Sequence, residues 1–245
     1  MSDIDIQINP IILLADSQLL FYKSKDGLFL DRIKKLIHKE AKIDGIKAAY
    51  IGASNNDDPQ FFEIFELAMH QVDIRDCRMI KSISDKDDTN FLKSADIILL
   101  AGGDTNKGWE VIKRNGWDEI IIEKYSKGVI LIGISAGAIQ LGMKGYQVKE
   151  NEAEIEFDTL KLVPFIIDVH TDDDWINLSK RIKFEGGHLN GYGIPYGGGL
   201  IYYPDMSLEA IRFPCVEILN VENKIDRSII LPETKEVETH EDEPK

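Results

Sequence analysis

The chain alternates short, nearly unbroken apolar runs with longer amphipathic stretches, and this alternation constrains its fold more than any other feature. Ile11 to Ala15, Lys47 to Gly52, Asp96 to Leu100 and Val129 to Ile134 read as strands buried on both faces, with Ile74 to Ile80 a more mixed candidate. Between them lie helical patterns. Leu28 to Lys39 sets Leu28, Ile33, Leu36 and Ile37 at helical spacing, and Pro59 to Gln71 opens with a proline suited to a first turn. Asp85 to Ser94, Thr105 to Lys113 and Asp118 to Lys127 follow, and Ala136 to Leu141 starts directly after a strand. Buried strands separated by helices predict a three-layer α/β fold, with a mostly parallel central sheet and helices on both faces. In such sheets ligands gather at the carboxyl ends of the strands. The two most unusual glycine turns, after Leu100 and after Ile134, both fall there.

The second half is less regular. Leu160 to Val169 predicts a strand running into His170, and Asp172 to Lys183 a helix. Tyr192 to Tyr203 reads as a glycine-rich strand pair or turn, and Ile211 to Val221 and Arg227 to Leu231 as further strands. No repeat or linker divides the chain, so residues 1–232 are expected to form one domain. The stretch 233–245 is acidic and almost free of apolar residues, which predicts disorder.

Charge narrows the partners. Against 43 acidic residues stand 29 basic ones, a formal charge of -14 that repels phosphate backbones and argues against nucleic acid. Apolar runs such as Val129 to Ile134 fall far short of the roughly 20 residues of a membrane helix, so no membrane partner is expected. Cys77 and Cys215 have neither disulfide, metal nor redox spacing, and their apolar neighbours predict buried thiols. Met1 to Pro10 is acidic and lacks the pattern of a signal peptide. A cytoplasmic protein is the resulting expectation.

Chemistry concentrates in three segments. Gly133-Ile134-Ser135-Ala136-Gly137-Ala138 fits the strand–turn–helix pattern G-x-S-x-G, which exposes a serine hydroxyl on a strained turn. Small neighbours let strand and helix approach, and the Ala136 N–H at the helix start is a natural oxyanion donor. Ala101-Gly102-Gly103-Asp104-Thr105-Asn106 leaves bare backbone N–H groups at a strand end, and Gly103 offers the second donor. The alternative for this turn is a helix capped by Asp104 or Thr105. A serine nucleophile needs a base. Of five histidines, His170 alone follows an apolar strand at its end; His188 is the reserve, and His38, His70 and His240 are expected at the surface.

The ordered set resembles the dipeptidase E/cyanophycinase family of serine peptidases. The serine segment looks like its G-x-S-A-G-A elbow, and Gly102-Gly103-Asp104-Thr105 like its glycine-rich oxyanion turn. Ile167-Asp168-Val169-His170 is similar to its D-x-H segment, and the 35-residue spacing from serine to histidine suits the family. The resemblance spans roughly Ile11 to Asp205. It implies a flavodoxin-like, class-I glutamine-amidotransferase-like fold and a small peptide substrate, with hydrolysis next to aspartate. It further implies Ser135 as nucleophile, His170 as base, oxyanion donors at Gly103 and Ala136, and no metal or organic cofactor. A homodimer is compatible with it.

One position departs from the family. Where a glutamate commonly orients the histidine, Gly193-Ile194-Pro195-Tyr196-Gly197 carries a tyrosine. Asp168, Asp172 and Glu150 are the substitutes considered, along with Asp173, Asp174, Glu185 and Glu152; Tyr196 is a candidate to hydrogen-bond His170 without supplying charge. Asp104, Thr105 and Arg181 are candidate substrate contacts, Arg181 (with Lys180 beside it) as the cation for an acidic side chain. An acidic cluster at Asp172 to Asp174 lining the cleft would instead favour basic substrates. Two other readings stay open: a catalytically impaired homologue that binds a peptide or protein, and an esterase or amidase on the same site. A glutamine amidotransferase is disfavoured, because those enzymes carry cysteine at the elbow.

Overall fold

The computed structural model describes residues 8–25, 27–37, 45–147, 154–171 and 174–233. The first half contains strands β1 (Ile11–Leu14), β2 (Lys23–Ser24), β3 (Gly27–Leu28), β4 (Lys47–Ile51), β5 (Asp76–Ile80), β6 (Ile97–Leu100) and β7 (Ile130–Ile134). Helices α1 (Asp31–Ile37), α2 (Pro59–Gln71), α3 (Lys86–Ser94), α4 (Thr105–Arg114), α5 (Trp117–Ser126) and α6 (Ala136–Leu141) alternate with them. The second half adds β8 (Lys144–Gln147), β9 (Ile155–Asp158), β10 (Phe165–Val169), α7 (Ile176–Phe184), β11 (Asn190–Ile194), β12 (Gly199–Tyr202), β13 (Leu208–Ile211), β14 (Cys215–Val221) and β15 (Lys224–Ile230).

The main sheet has seven strands in the order β13-β12-β1-β7-β6-β4-β5. Its five-strand block from β1 to β5 is parallel, and β12 and β13 join antiparallel at one edge. Strand periodicity divides the core. Ile12, Leu14, Ala48, Tyr50, Leu99 and Ile132 face α1 and α2. Ile11, Leu13, Ala49, Ile98, Leu100 and Leu131 face the other way, toward Trp117 and Ile121 of α5 and Ala138 and Leu141 of α6. Burial on both faces is why these strands carry almost no polar residues.

A second sheet, of four strands in the order β10-β11-β14-β15, was not separated from the first by the sequence pattern. One of its faces sends Phe165, Ile167, Val169 and Ile194 into the core beside α6. Its other face holds Ile166 and Ile218 against Leu178 and Ile182 of α7. The Tyr192 to Tyr203 stretch is therefore no strand pair. β11 belongs to the small sheet and β12 to the large one, and the turn Pro195–Gly198 carries the chain between them. Pro214 breaks the run expected from Ile211 to Val221 into β13 and β14, since proline cannot donate to a ladder. Leu28 lies in a small hairpin rather than in α1, because the Asp31 carboxylate accepts its N–H at 3.0 Å. The segment from 234 onward, including the tail predicted to be disordered, lies outside the described residues.

The elbow helix lies directly on the sheet. A Cβ on Gly137 would fall 2.0 Å from the Leu100 carbonyl oxygen, and one on Gly133 would fall 2.6 Å from the Ala138 nitrogen. Backbone atoms cannot move aside as a flexible side chain does. Gly137→Ala is therefore expected to destabilise the fold by about 3 kcal/mol, the upper end for overpacking, and to lower Tm by roughly 6–12 °C at this chain length. Thermal unfolding followed by circular dichroism checks this.

Candidate active site

Ser135 sits between β7 and α6 with φ 50° and ψ -111°. That is a strained backbone for a residue with a Cβ, and such strain persists only where the surroundings enforce it. Here the close seat of α6 does so, and the Ser135 N–H donates to the Leu14 carbonyl at 2.8 Å, tying the ends of β7 and β1 together. Ser135 Oγ lies 2.8 Å from His170 Nε2. His170 follows β10 of the small sheet, with φ 39°, and its N–H donates to the Ile194 carbonyl at 2.8 Å. Trp175, just before α7, lies with its indole on Gly193, where a Cβ would meet the ring at 2.5 Å.

Among the described residues, a ring rather than a carboxylate lies against His170. Tyr196 stacks on His170 with centroids 4.9 Å apart and planes 25° from parallel. Tyr196 thus contacts the imidazole through its face, not through a hydroxyl hydrogen bond as the sequence suggested. Among the described residues, the Ser135 contact is the one side-chain hydrogen bond of His170. Asp16, at the carboxyl end of β1, holds the turn that carries Tyr196. Its carboxylate accepts from the Gly197 N–H at 2.6 Å and from the Gln18 N–H at 2.8 Å. Asp16 was missed in the sequence, although it sits at a strand's carboxyl end, the rule that selected Gly103 and Ser135.

The glycine turn after β6 is built against buried polar groups. Gly103 has φ 132°, and a Cβ there would lie 2.1 Å from the Ser54 carbonyl oxygen. That carbonyl accepts from the Asp104 N–H at 2.8 Å, whereas the Gly103 N–H has no protein acceptor among the described residues. Ser54 is fixed in turn by Gln140 of α6. The fully buried Gln140 amide donates to Ser54 Oγ at 3.1 Å and to the Thr105 carbonyl at 2.9 Å. Gln140 thereby joins the helix behind the serine to the turn holding Gly103. Ala136 opens α6, where the first N–H groups lack intrahelical acceptors and the helix dipole favours negative charge.

A cavity of about 270 Å³ opens beside Ser135, His170, Gly103 and Tyr196. Leu20, Phe61, Ile64, Phe65 and Leu99 supply much of its wall. Tyr50 and Asn55 also line it, the Asn55 amide donating to the Tyr50 hydroxyl at 2.7 Å; burial pushes that phenol up to about 12. Asp104 does not line the cavity. Its carboxylate caps α4 by accepting the Lys107 N–H at 2.9 Å, and Thr105 takes part through its carbonyl. Arg181 lies elsewhere too. Its guanidinium meets Asp168 at 3.0 Å and Glu154 at 2.5 Å and covers the Tyr146 ring. The proposed cation for a substrate is thus taken up by structural partners, and Asp168 faces Arg181. Glu185 pairs with Lys144, and Asp174 with Arg227. Glu150, Glu152, Asp172 and Asp173 lie outside the described residues, as do His38 and His240. His188 is exposed in the turn after α7.

Comparison with known proteins gives a consistent set of relatives. The model of "Peptidase family S51" matches residues 11–194. A curated relative, an uncharacterized peptidase of Bacillus subtilis (strain 168), is 27% identical over 120 residues, covering 49% of this chain and 51% of that protein. A cobyric acid synthase of Clostridium novyi (strain NT) is 28% identical over 126 residues, covering 51% of this chain and 24% of that protein. The chain thus spans about half the length of the first curated relative and about a quarter of the second. A putative peptidase E protein from Listeria monocytogenes EGD-e shares the fold with a TM-score of 0.60 and 18% identity, over 84% of this chain and 100% of that one. A peptidase from an acI-B1 Actinobacterium does so at 0.63 and 13%, over 93% and 96%.

Two outcomes follow from this geometry. Cys215 is buried as expected but Cys77 is only half-buried; desolvation still pushes both thiols up to about 12, for Cys77 with added repulsion from Glu66 and Asp76. At pH 8 only about one thiol in ten thousand is then ionised. Ellman's reagent should find almost no reactive thiol in the native protein and two after denaturation. Gln140→Leu keeps the bulk of the side chain but frees Ser54 and Thr105. It is expected to slow fluorophosphonate labelling of Ser135 by roughly a hundredfold, the lower end of the loss for an oxyanion donor, while circular dichroism shows the fold retained.

Proposed function

Because this chain belongs to peptidase family S51, we propose that it is a serine peptidase cleaving a dipeptide or short peptide, with Ser135 as nucleophile and His170 as base. The observation that carries this reading is the 2.8 Å contact between Ser135 Oγ and His170 Nε2 at the mouth of a compact cavity. As Oγ attacks the peptide carbonyl carbon, Nε2 takes the hydroxyl proton and the carbonyl electrons move onto oxygen. The N–H groups of Gly103 and Ala136 receive that oxyanion. Collapse breaks the C–N bond, and His170 returns the proton to the departing amine. Water repeats the sequence on the acyl-enzyme and frees Ser135.

The Gly103 N–H supports this role because it carries no protein acceptor among the described residues. Tyr196 supports the orientation of the base by stacking, in the place where the family resemblance calls for an acid. Accepting a proton at Nε2 requires the tautomer with hydrogen on Nδ1. Loss of the orienting acid from a triad lowers turnover by about 10⁴-fold. A second reading therefore has an observation behind it: the site binds peptides and turns them over poorly. Cleavage next to aspartate finds no support in the cavity, since no lysine or arginine lines it among the described residues.

A fluorophosphonate probe should label the folded protein and fail on Ser135→Ala. His170→Ala should label at least 100-fold more slowly, given the 10²–10⁴-fold contribution of a general base. Hydrolysis of a dipeptide panel, followed by released amine, separates the two readings. Turnover abolished by Ser135→Ala supports a peptidase. Labelling of the wild type without any turnover favours the binding role.

A further inference from the structure

Resting on the reading of Ser135 and His170 as a hydrolytic pair, we infer that the side chain flanking the cleaved bond is apolar, aliphatic or aromatic, and that acidic side chains are rejected. The cavity beside Ser135 carries this inference. Phe61, Ile64 and Phe65 project from α2, Leu20 from the short helix after β1, and Leu99 and Ile134 from the strands below. Pockets that bind through such walls draw their affinity from removing apolar surface from water.

Electrostatics points the same way. Among the described residues no lysine or arginine lines the cavity, and Arg181, the cation considered from the sequence, is held by Asp168 and Glu154. Asp16 is the one carboxylate on the wall among the described residues, and its two oxygens accept the Gln18 and Gly197 N–H groups. An acidic substrate side chain would enter without a counter-ion and face Asp16, and desolvating an unpaired charge is strongly unfavourable. A lysine side chain would leave its charge among apolar walls, beside a carboxylate whose charge two N–H groups already share. Asn55 is occupied within the protein, its amide donating to the Tyr50 hydroxyl and its side-chain carbonyl accepting the Asp58 N–H.

The family resemblance implies aspartate here, so the two expectations oppose each other. Phe61 is the residue to change, because at 49% exposure it tolerates a larger polar group without disturbing the core. Phe61→Arg supplies the missing cation at the cavity rim.

The test uses two dipeptide series, X-Ala and Ala-X, with X being Leu, Phe, Asp or Lys. Wild type and Phe61→Arg are compared by kcat/KM, and fluorophosphonate labelling of Ser135 is measured in parallel. The expected result is a preference of at least 100-fold for Leu or Phe over both Asp and Lys in one series. That is about 2.8 kcal/mol, at 1.4 kcal/mol per decade. In Phe61→Arg the ratio of Asp to Phe cleavage should rise at least tenfold. Labelled enzyme that cleaves the Asp or Lys peptides as well as the apolar ones overturns this inference and leaves the hydrolase reading intact. Absence of both labelling and turnover overturns the hydrolase reading, and this inference with it.

Discussion

The close seating of α6 on the backbone of β6 and β7 is the constraint from which the rest of the site follows. Gly137 lies where any Cβ would strike the Leu100 carbonyl, and Gly133 where one would strike Ala138. With the helix that close, the connecting residue has one place to go, and Ser135 is forced to positive φ. Strain of this kind costs about 1–3 kcal/mol. Burial of Leu100, Leu131, Ala138 and Leu141 around the same contact offsets it. The serine hydroxyl is thereby fixed in direction before any ligand arrives, which is the condition for preorganised chemistry.

The second requirement is that two sheets meet at one point. Ser135 ends β7 of the large sheet and His170 ends β10 of the small one. Their contact depends on how the sheets are joined, and β1 is the joint. Its end accepts the Ser135 N–H through Leu14, receives the turn through the Ala15 N–H to the Gly198 carbonyl, and holds Gly197 through Asp16. That turn carries Tyr196 onto the imidazole. On the other side of the serine, Gln140 ties α6 to the glycine turn through Ser54 and Thr105. Both flanks of Ser135 are thus pinned by buried or half-buried polar contacts, which hold direction better than apolar packing alone.

The first half of the fold was legible in sequence because each of its elements reports its own burial. The four continuous runs became β1, β4, β6 and β7 with boundaries shifted by a residue or so, and the helix starts at Pro59, Thr105 and Ala136 fall where the pattern set them. The second half was legible only in part: β10, α7 and β15 overlap the stretches the pattern marked, but their sheet membership was not written in it. Nothing local distinguishes β11 from β12, yet they belong to different sheets. Arg181 shows the same limit among charged residues. A basic residue one helix after His170 reads as a substrate contact, but Asp168, thirteen positions away, and Glu154 claim it through contacts that no local pattern announces.

The sequence by itself determined the mostly parallel sheet, the strained serine turn and the histidine at a strand end. Each is encoded by residues adjacent in the chain: continuous apolar runs, and small residues on either side of Ser135. Only the tertiary structure decided that Tyr196 stacks on His170, that Asp16 and Gln140 hold the flanking turns, and that apolar side chains of α2 wall the cavity. Those facts depend on side chains from distant segments meeting in space. The packing of two sheets and a helix sets that meeting, and no spacing along the chain records it.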